Sequence, residues 1–150
     1  MSKQARNTLA AERHKARHYA MQALYQWHMA EAPISQIEAE FRTDYDFSHV
    51  DLEYFQAILH GVPGSVTELE AVFEPLLDRK LDDLGPVERS LLRIGTWELV
   101  HRIDVPWKVV INEAVSLARK FGATDSHKYI NGVLDRAARQ LRKAETEADA

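Results

Sequence analysis

Residues 105–141 read VPWKVVINEAVSLARKFGATDSHKYINGVLDRAARQL, and this stretch decides the fold. Apolar residues recur every three or four positions on both sides of a short polar segment, which predicts two amphipathic helices joined by a turn. So short a connection makes the two helices antiparallel neighbours. We interpret this hairpin as the surface against which the rest of the chain packs. The predicted buried residues are Ile111, Ala114, Val115, Ala118 and Phe121 in the first helix and Ile130, Val133, Leu134, Ala137 and Leu141 in the second.

The ends of these two helices carry their own signals. Gly122 is expected to end the first helix as a left-handed cap, because a residue without Cβ adopts that conformation easily. Thr124, Asp125 or Ser126 can cap the start of the second helix by accepting a backbone N–H. Gly132 weakens the second helix unless another backbone comes close, so a close approach is expected there.

The composition bounds the class of protein. A chain of 150 residues, 45% hydrophobic and 28% charged, fits one compact domain, 1–150, with a real core. The sequence contains no cysteine, which excludes disulfides, thiolate nucleophiles and Cys-ligated zinc and agrees with a cytoplasmic protein. No apolar run reaches the roughly 20 residues of a membrane span, and no secretory signal is visible, so no membrane partner is expected.

The net charge of −4 hides a strong asymmetry along the chain. Residues 1–30 have a balance of +4, residues 31–83 of −10, residues 84–143 of +5 and residues 144–150 of −3. Two basic segments in an acidic protein predict a local anion-binding face, provided that the two segments meet in space.

The remaining sequence predicts only helices. Amphipathic patterns cover 11–30, 34–45, 49–60 and 66–78, and 86–101 is apolar nearly all round, which is typical of a central helix. The side chains of Arg89, Arg93 and Glu98 are therefore expected to reach solvent along a narrow polar face of that helix. The break GVPGS at 61–65 divides an all-α bundle of about seven helices into two small packed subdomains. Residues 1–10 and 144–150 are expected to be flexible.

Signatures of enzymes are missing from the sequence, so no catalytic residue and no cofactor is predicted. Asp125, Ser126 and His127 are the residue types of a Ser-His-Asp catalytic triad. Neighbouring side chains on one helical turn point apart, however, and cannot form the mutual hydrogen bonds that a triad requires, so we reject this interpretation. His14 and His18 lie four residues apart and could form half of a metal site. Nearby cations disfavour a metal ion there, and two histidines on a basic face are the better interpretation.

Nucleic-acid binding agrees better with the residues. It requires cations for phosphates and flat side chains for bases, which single-stranded RNA exposes. The helix 11–30 offers Arg13, Lys15 and Arg17, followed by Tyr25, while 125–129 offers Lys128 and Tyr129 at a helix N-terminus that also attracts phosphate. Core packing is an equally good interpretation of both tyrosines.

Four segments together resemble the NusB family of bacterial transcription antitermination factors. They are ALYQW at 23–27, LGPVERSLLRI at 84–94, DVPWKVVINEAVSLARKFG at 104–122 and DSHKYINGVLD at 125–135. The resemblance implies an all-helical protein that binds the box A element of ribosomal RNA leaders together with NusE, a ribosomal protein. It further implies a complex with RNA polymerase, NusA and NusG. Some members form homodimers, and the sequence does not say whether this chain does.

The resemblance also implies a set of site residues. His14 and Lys15 stand where the family carries arginines, which predicts weaker and pH-sensitive RNA binding, since lysine offers only a point charge. Tyr129 replaces a phenylalanine and keeps the stacking surface. Glu88 and Tyr25 are expected to face NusE. The RNA-binding residues implied by the resemblance are Arg13, His14, Lys15, Arg17, Tyr25, Asp125, Ser126, His127, Lys128 and Tyr129.

Two alternatives stay open beside an RNA-binding adaptor. The chain could be a purely protein-binding module, in which the acidic middle and the helix 86–101 do the work. It could also be related to the NusB-like domains that precede RNA cytosine methyltransferases, although it contains no cofactor-binding domain of its own.

Overall fold

The computed structural model describes residues 1–149, and helices are the only regular secondary structure in that range. Three single turns of 3-10 helix lie at 63–65, 74–76 and 81–83. The all-α prediction is confirmed. The α-helices are α1 (Lys3–Ala30), α2 (Ile34–Asp44), α3 (Leu52–Gly61), α4 (Val66–Phe73), α5 (Pro86–His101), α6 (Trp107–Phe121), α7 (Ser126–Leu141) and α8 (Lys143–Ala148).

The chain forms two compact units, and the boundary between them falls inside the predicted GVPGS break. The N-terminal unit is Met1–Pro63, and the C-terminal unit begins at Gly64. In the first unit, α1 packs against α2 and α3; in the second, α5 packs against α4, α6 and α7, and α6 packs along α7 as the hairpin predicts.

Helix α1 begins eight residues earlier than the sequence pattern indicates. The Ser2 hydroxyl accepts a hydrogen bond from the Ala5 N–H at 3.0 Å and thereby caps the first turn. Residues 3–10 are therefore helical, whereas their expected flexibility stays a prediction. Their side chains are mostly exposed, so they show no apolar period, yet a good cap and good helix formers are sufficient when the rest of the helix is packed.

Two glycines behave differently from what the sequence suggests. Gly122 has a φ of −88° and is extended, so it is not a left-handed cap. A Cβ on Gly132 would meet nothing within 4 Å, whereas a Cβ on Gly95 would lie 2.7 Å from the Leu134 Cδ1 atom. The close approach between helices therefore occurs at Gly95 in α5, where α7 packs against it.

The prediction that the charged side chains of α5 reach solvent along a polar face was wrong for two of them. Arg93 and Glu98 are buried, and the Arg93 guanidinium donates to the Glu70 carboxylate of α4 at 3.0 Å. Arg89 donates to the same carboxylate at 2.9 Å. Burial raises the pKa of Glu70, but the two guanidinium groups lower it more, so the pKa lies below 4.5.

The end of the chain is also helical, which the sequence pattern did not predict. Arg142 is buried, and its guanidinium donates to the carbonyl oxygens of Glu98, Leu99, Arg102 and Val105 at 2.8–3.1 Å. Helix α8 follows directly and includes residues 144–148, where the sequence pattern predicts no helix. The expected flexibility of 144–150 stays a prediction, and residue 150 lies outside the described residues. The reason for the helix is tertiary: Arg142 satisfies the free carbonyls at the end of α5.

Within residues 1–149 no helix combines the length and the apolarity that crossing a lipid bilayer requires.

Candidate nucleic-acid interface

The basic part of α1 is organised around the ring of Tyr54. The guanidinium carbons of Arg13 and Arg17 lie 4.7 and 5.0 Å from the centre of that ring. Arg13 also pairs with Asp51 at 3.4 Å and keeps 22% of its side chain exposed. Arg17 is only 2% exposed and Tyr54 only 1%. Arg17 therefore belongs to the packing between α1 and α3, and Arg13 is the one of the two arginines that solvent reaches.

Lys15 and His14 lie beside Arg13 on α1, Lys15 exposed and His14 half-buried. A groove of about 630 Å³ runs along this end of the helix, and Lys15, Lys3 and His49 are among the residues that line it. Glu12 also lines the groove, so its charge is mixed with cations in excess. Tyr25 lies further along α1 and is 37% exposed, which leaves its ring open to a ligand.

The turn before α7, residues 125–129, holds the second predicted group of site residues. Asp125 has a φ of 69°, one of two non-glycine residues with a positive φ among residues 1–149. The Lys128 ammonium lies 3.4 Å from the Asp125 carboxylate, and these two side chains are 73% and 66% exposed. Asp125 accepts no capping hydrogen bond through its side chain, and Ser126, also proposed as the cap, is already the first residue of α7.

Ser126 and Glu88 connect this turn to α5. Ser126 is buried, and its hydroxyl donates to the Glu88 carboxylate at 3.5 Å. The same carboxylate accepts from the Gly85 N–H at the start of α5. Glu88 is thus half-buried and held beside the turn that carries Lys128, and His127 is half-buried in that turn.

Tyr129 has a partner that the sequence did not indicate. The guanidinium carbon of Arg79 lies 4.1 Å from the centre of the Tyr129 ring. Arg79 also donates through Nε to Asp78 at 2.9 Å, and this bond holds the pKa of Asp78 below 3.8. Burial raises the pKa of Tyr129 above 10.0, and the neighbouring Asp78 carboxylate acts in the same direction. Tyr129 is half-buried, which agrees with both interpretations made of it from the sequence.

A model of the NusB family matches residues 14–139 of the chain. The chain belongs to the NusB family. The transcription antitermination protein NusB of Hahella chejuensis is 58% identical over 137 residues, which cover 91% of this chain and 92% of that protein. The protein of the same name from Saccharophagus degradans is 56% identical over 140 residues, covering 93% of each chain.

A solved structure supports the fold of this NusB-family chain independently. The T. maritima NusB structure superposes with a TM-score of 0.77 at 27% identity and covers 89% of this chain and 96% of that one. The curated relatives, which are 54% and 58% identical over more than nine-tenths of the chain, identify the protein as a transcription antitermination factor of the NusB family.

The NusB-family chain has no metal-binding constellation within residues 1–149, because no three His, Asp or Glu side chains come together there. His18 instead contacts Gln22 at 3.3 Å and the ring of Tyr19 at 5.1 Å. The structure therefore gives His14 and His18 no third ligand in the described residues.

The structure places the predicted residues of each group on one helix or turn. Arg13, His14, Lys15 and Tyr25 share α1, and the residues of 125–129 share one turn of the C-terminal unit. Sequence reasoning missed Arg79, because a lone arginine in an acidic connecting segment has no periodicity and no motif to mark it. Only the contact with Tyr129 reveals it.

Proposed function

We propose that this NusB-family protein is a non-enzymatic adaptor that binds box A-type single-stranded RNA of ribosomal RNA leaders together with NusE. In this proposal it acts within an antitermination complex that also contains RNA polymerase, NusA and NusG. The observation that carries the proposal is that each unit has cations that solvent reaches and a tyrosine on the same helix. Arg13 and Lys15 lie on the helix that carries Tyr25, and Lys128 lies next to Tyr129.

Such surfaces suit RNA for a physical reason. Exposed cations neutralise phosphates, and half-exposed rings stack on bases that are free of a duplex. The Asp125 carboxylate, 66% exposed, can accept a hydrogen bond from a base amino group, which adds sequence preference to a site that otherwise binds any single strand.

The main test is a fluorescence-anisotropy titration of box A-type RNA at several salt concentrations. If roughly four phosphates are neutralised, the logarithm of the affinity falls with the logarithm of the salt concentration at a slope of about −3. Replacing Arg13 and Lys15 together by alanine should make the slope shallower. The matched control is Arg42→Ala, because Arg42 is an exposed arginine of α2 in the same unit. Salt-independent binding would contradict the proposal.

The contribution of the C-terminal unit is tested separately. Tyr129→Ala removes one stacking surface and should weaken RNA binding by about 1–3 kcal/mol with an unchanged salt slope. Combining it with the Arg13 and Lys15 replacements tells whether both surfaces engage the same strand. Losses that add in free energy agree with two independent contributions to one complex.

NusE is tested through Glu88. Glu88→Ala should weaken NusE binding more than RNA binding if this side chain faces the ribosomal protein, as the family resemblance implies. Sizing the protein with and without box A-type RNA then shows whether a homodimer competes with the complex.

A purely protein-binding module remains a second candidate, and one observation favours it. Ile103 is 81% exposed between α5 and α6, and Val100 and Val109 on either side of it are each 40% exposed. Exposed apolar side chains that lie near one another mark protein contacts. Tight NusE binding with no effect of RNA on that affinity would favour this candidate over the adaptor.

A further inference from the structure

We infer that Arg79 is an additional RNA-binding residue, whose guanidinium plane extends the Tyr129 ring into a three-layer stack with one unpaired base. The inference rests on the proposed function and deepens it, because it names a stacking platform and the residue type that it needs.

The first argument is the fixed position of the guanidinium. Arg79 lies in the connection between α4 and α5, where the chain is irregular and a long side chain has many rotamers. The Nε bond to Asp78 at 2.9 Å removes part of that freedom, and the contact of the guanidinium carbon with the Tyr129 ring, 4.1 Å from its centre, removes more. A guanidinium held in advance loses less entropy when a third planar group is added.

The second argument is access. The Arg79 side chain is 41% exposed although it covers Tyr129. Solvent therefore reaches Arg79 while Tyr129 is the inner, half-buried layer. A base that approaches from solvent meets the guanidinium plane before it meets the tyrosine ring, and bases in single-stranded RNA stack on arginine planes as they do on aromatic rings.

The third argument is charge. Asp78 already pairs with Arg79, so a large part of its positive charge is compensated before RNA arrives. Arg79 is also less accessible to a phosphate than Lys128, because 41% of its side chain is exposed against 73% for Lys128. What the Asp78 pair leaves unused is the flat surface, and this surface distinguishes arginine from lysine.

The test compares Arg79→Lys, Arg79→Ala and a control, Arg139→Lys, in the full chain with box A-type RNA. Arg139 is a matched control because it is an exposed arginine of the same unit that also donates through Nε to an aspartate, Asp135, at 3.0 Å. Stacking predicts that Arg79→Lys weakens binding about tenfold, nearly as much as Arg79→Ala, with an unchanged salt slope. Arg139→Lys should bind as the unaltered protein does.

RNAs with one abasic position distinguish stacking by Arg79 from a structural role, because removing a base affects affinity only where the base contacts the protein. One abasic position should weaken binding to the unaltered protein about tenfold and should cost Arg79→Lys almost nothing, because the stack has already been lost. The circular dichroism spectrum and the melting temperature of each variant confirm that it folds.

Three results would overturn the inference. Full binding by Arg79→Lys would reduce the residue to a point charge, and equal losses at every abasic position in both proteins would remove the base partner. Tighter binding by Arg79→Ala would mean that the guanidinium covers Tyr129 against the base. Absence of RNA binding by the unaltered protein would instead refute the proposed function itself, which separates the two failures.

Discussion

Arginine lies over a tyrosine ring in both units, but the two arrangements differ in burial. In the N-terminal unit, Arg17 and Tyr54 are almost fully enclosed; in the C-terminal unit, Arg79 is open to solvent and Tyr129 half-buried. The chemistry of the contact is the same. The enclosed pair joins α1 to α3 and cannot reach a ligand without unfolding, whereas the open pair can accept a third planar group. Exposure, and not residue type, separates an arginine that packs inside the protein from one that a ligand can reach.

The largest effect expected from this comparison concerns the buried arginine of the C-terminal unit, Arg93. Glu70→Gln removes the carboxylate to which Arg93 and Arg89 both donate. Because the buried Arg93 guanidinium then loses the carboxylate that it shares with Arg89, the free energy of unfolding should fall by about 3 kcal/mol. Urea denaturation measures this loss. The control is Asp135→Asn, which breaks the exposed pair with Arg139 and should leave stability nearly unchanged.

The pH dependence of the same variant sharpens the result. The pKa of Glu70 is lowered below 4.5 in the folded state, so its contribution to stability is fully present above about pH 4.5. It is lost as the pH falls through the lower folded-state value. The difference in unfolding free energy between the two proteins should therefore be constant near neutral pH and shrink in acid. A constant difference down to the lowest pH would contradict the assignment to ionised Glu70.

The next effect compares Arg17 directly with Arg79. Arg17→Ala removes a buried side chain and its hydrogen bond to the Tyr54 hydroxyl, and should lower the free energy of unfolding by about 2 kcal/mol. Arg79→Ala should leave the unfolding midpoint unchanged, because the side chain is exposed. If the two variants lost equal stability, the distinction between an enclosed and an open pair would fail.

The smallest effect concerns two glycines of the packed helices. Gly95→Ala places a Cβ against the fully buried Leu134, and the strain should exceed the gain in helix propensity and cost about 1 kcal/mol. Gly132→Ala has open space and should stabilise the protein by up to about 1 kcal/mol. Opposite shifts of the melting temperature would confirm that α5, and not the surface of α7, carries the close approach.

Much of the fold was predictable because it is local. The periodicity of 105–141 gave both helices of the hairpin, and GVPGS gave the boundary between the units, since apolar spacing and turn residues act over a few positions. The cations and tyrosines of the candidate site were also visible as residue types. Their role in RNA binding stays a prediction.

Other features depended on neighbours far away in the sequence. No pattern in the sequence shows that Arg17 is enclosed while Arg13 is reachable, because that depends on where α3 places Tyr54. The position of the C-terminal helix α8 depends in the same way on Arg142, which donates to carbonyl oxygens about forty residues earlier in the chain.

The sequence by itself determined that this protein is helical, that it divides near Pro63 and that it belongs to the NusB family, because periodicity, turn chemistry and family motifs are written along the chain. Tertiary structure alone decided which arginines are enclosed and which one covers Tyr129. Burial and side-chain contact are properties of packing, and packing joins residues that no short stretch of sequence contains.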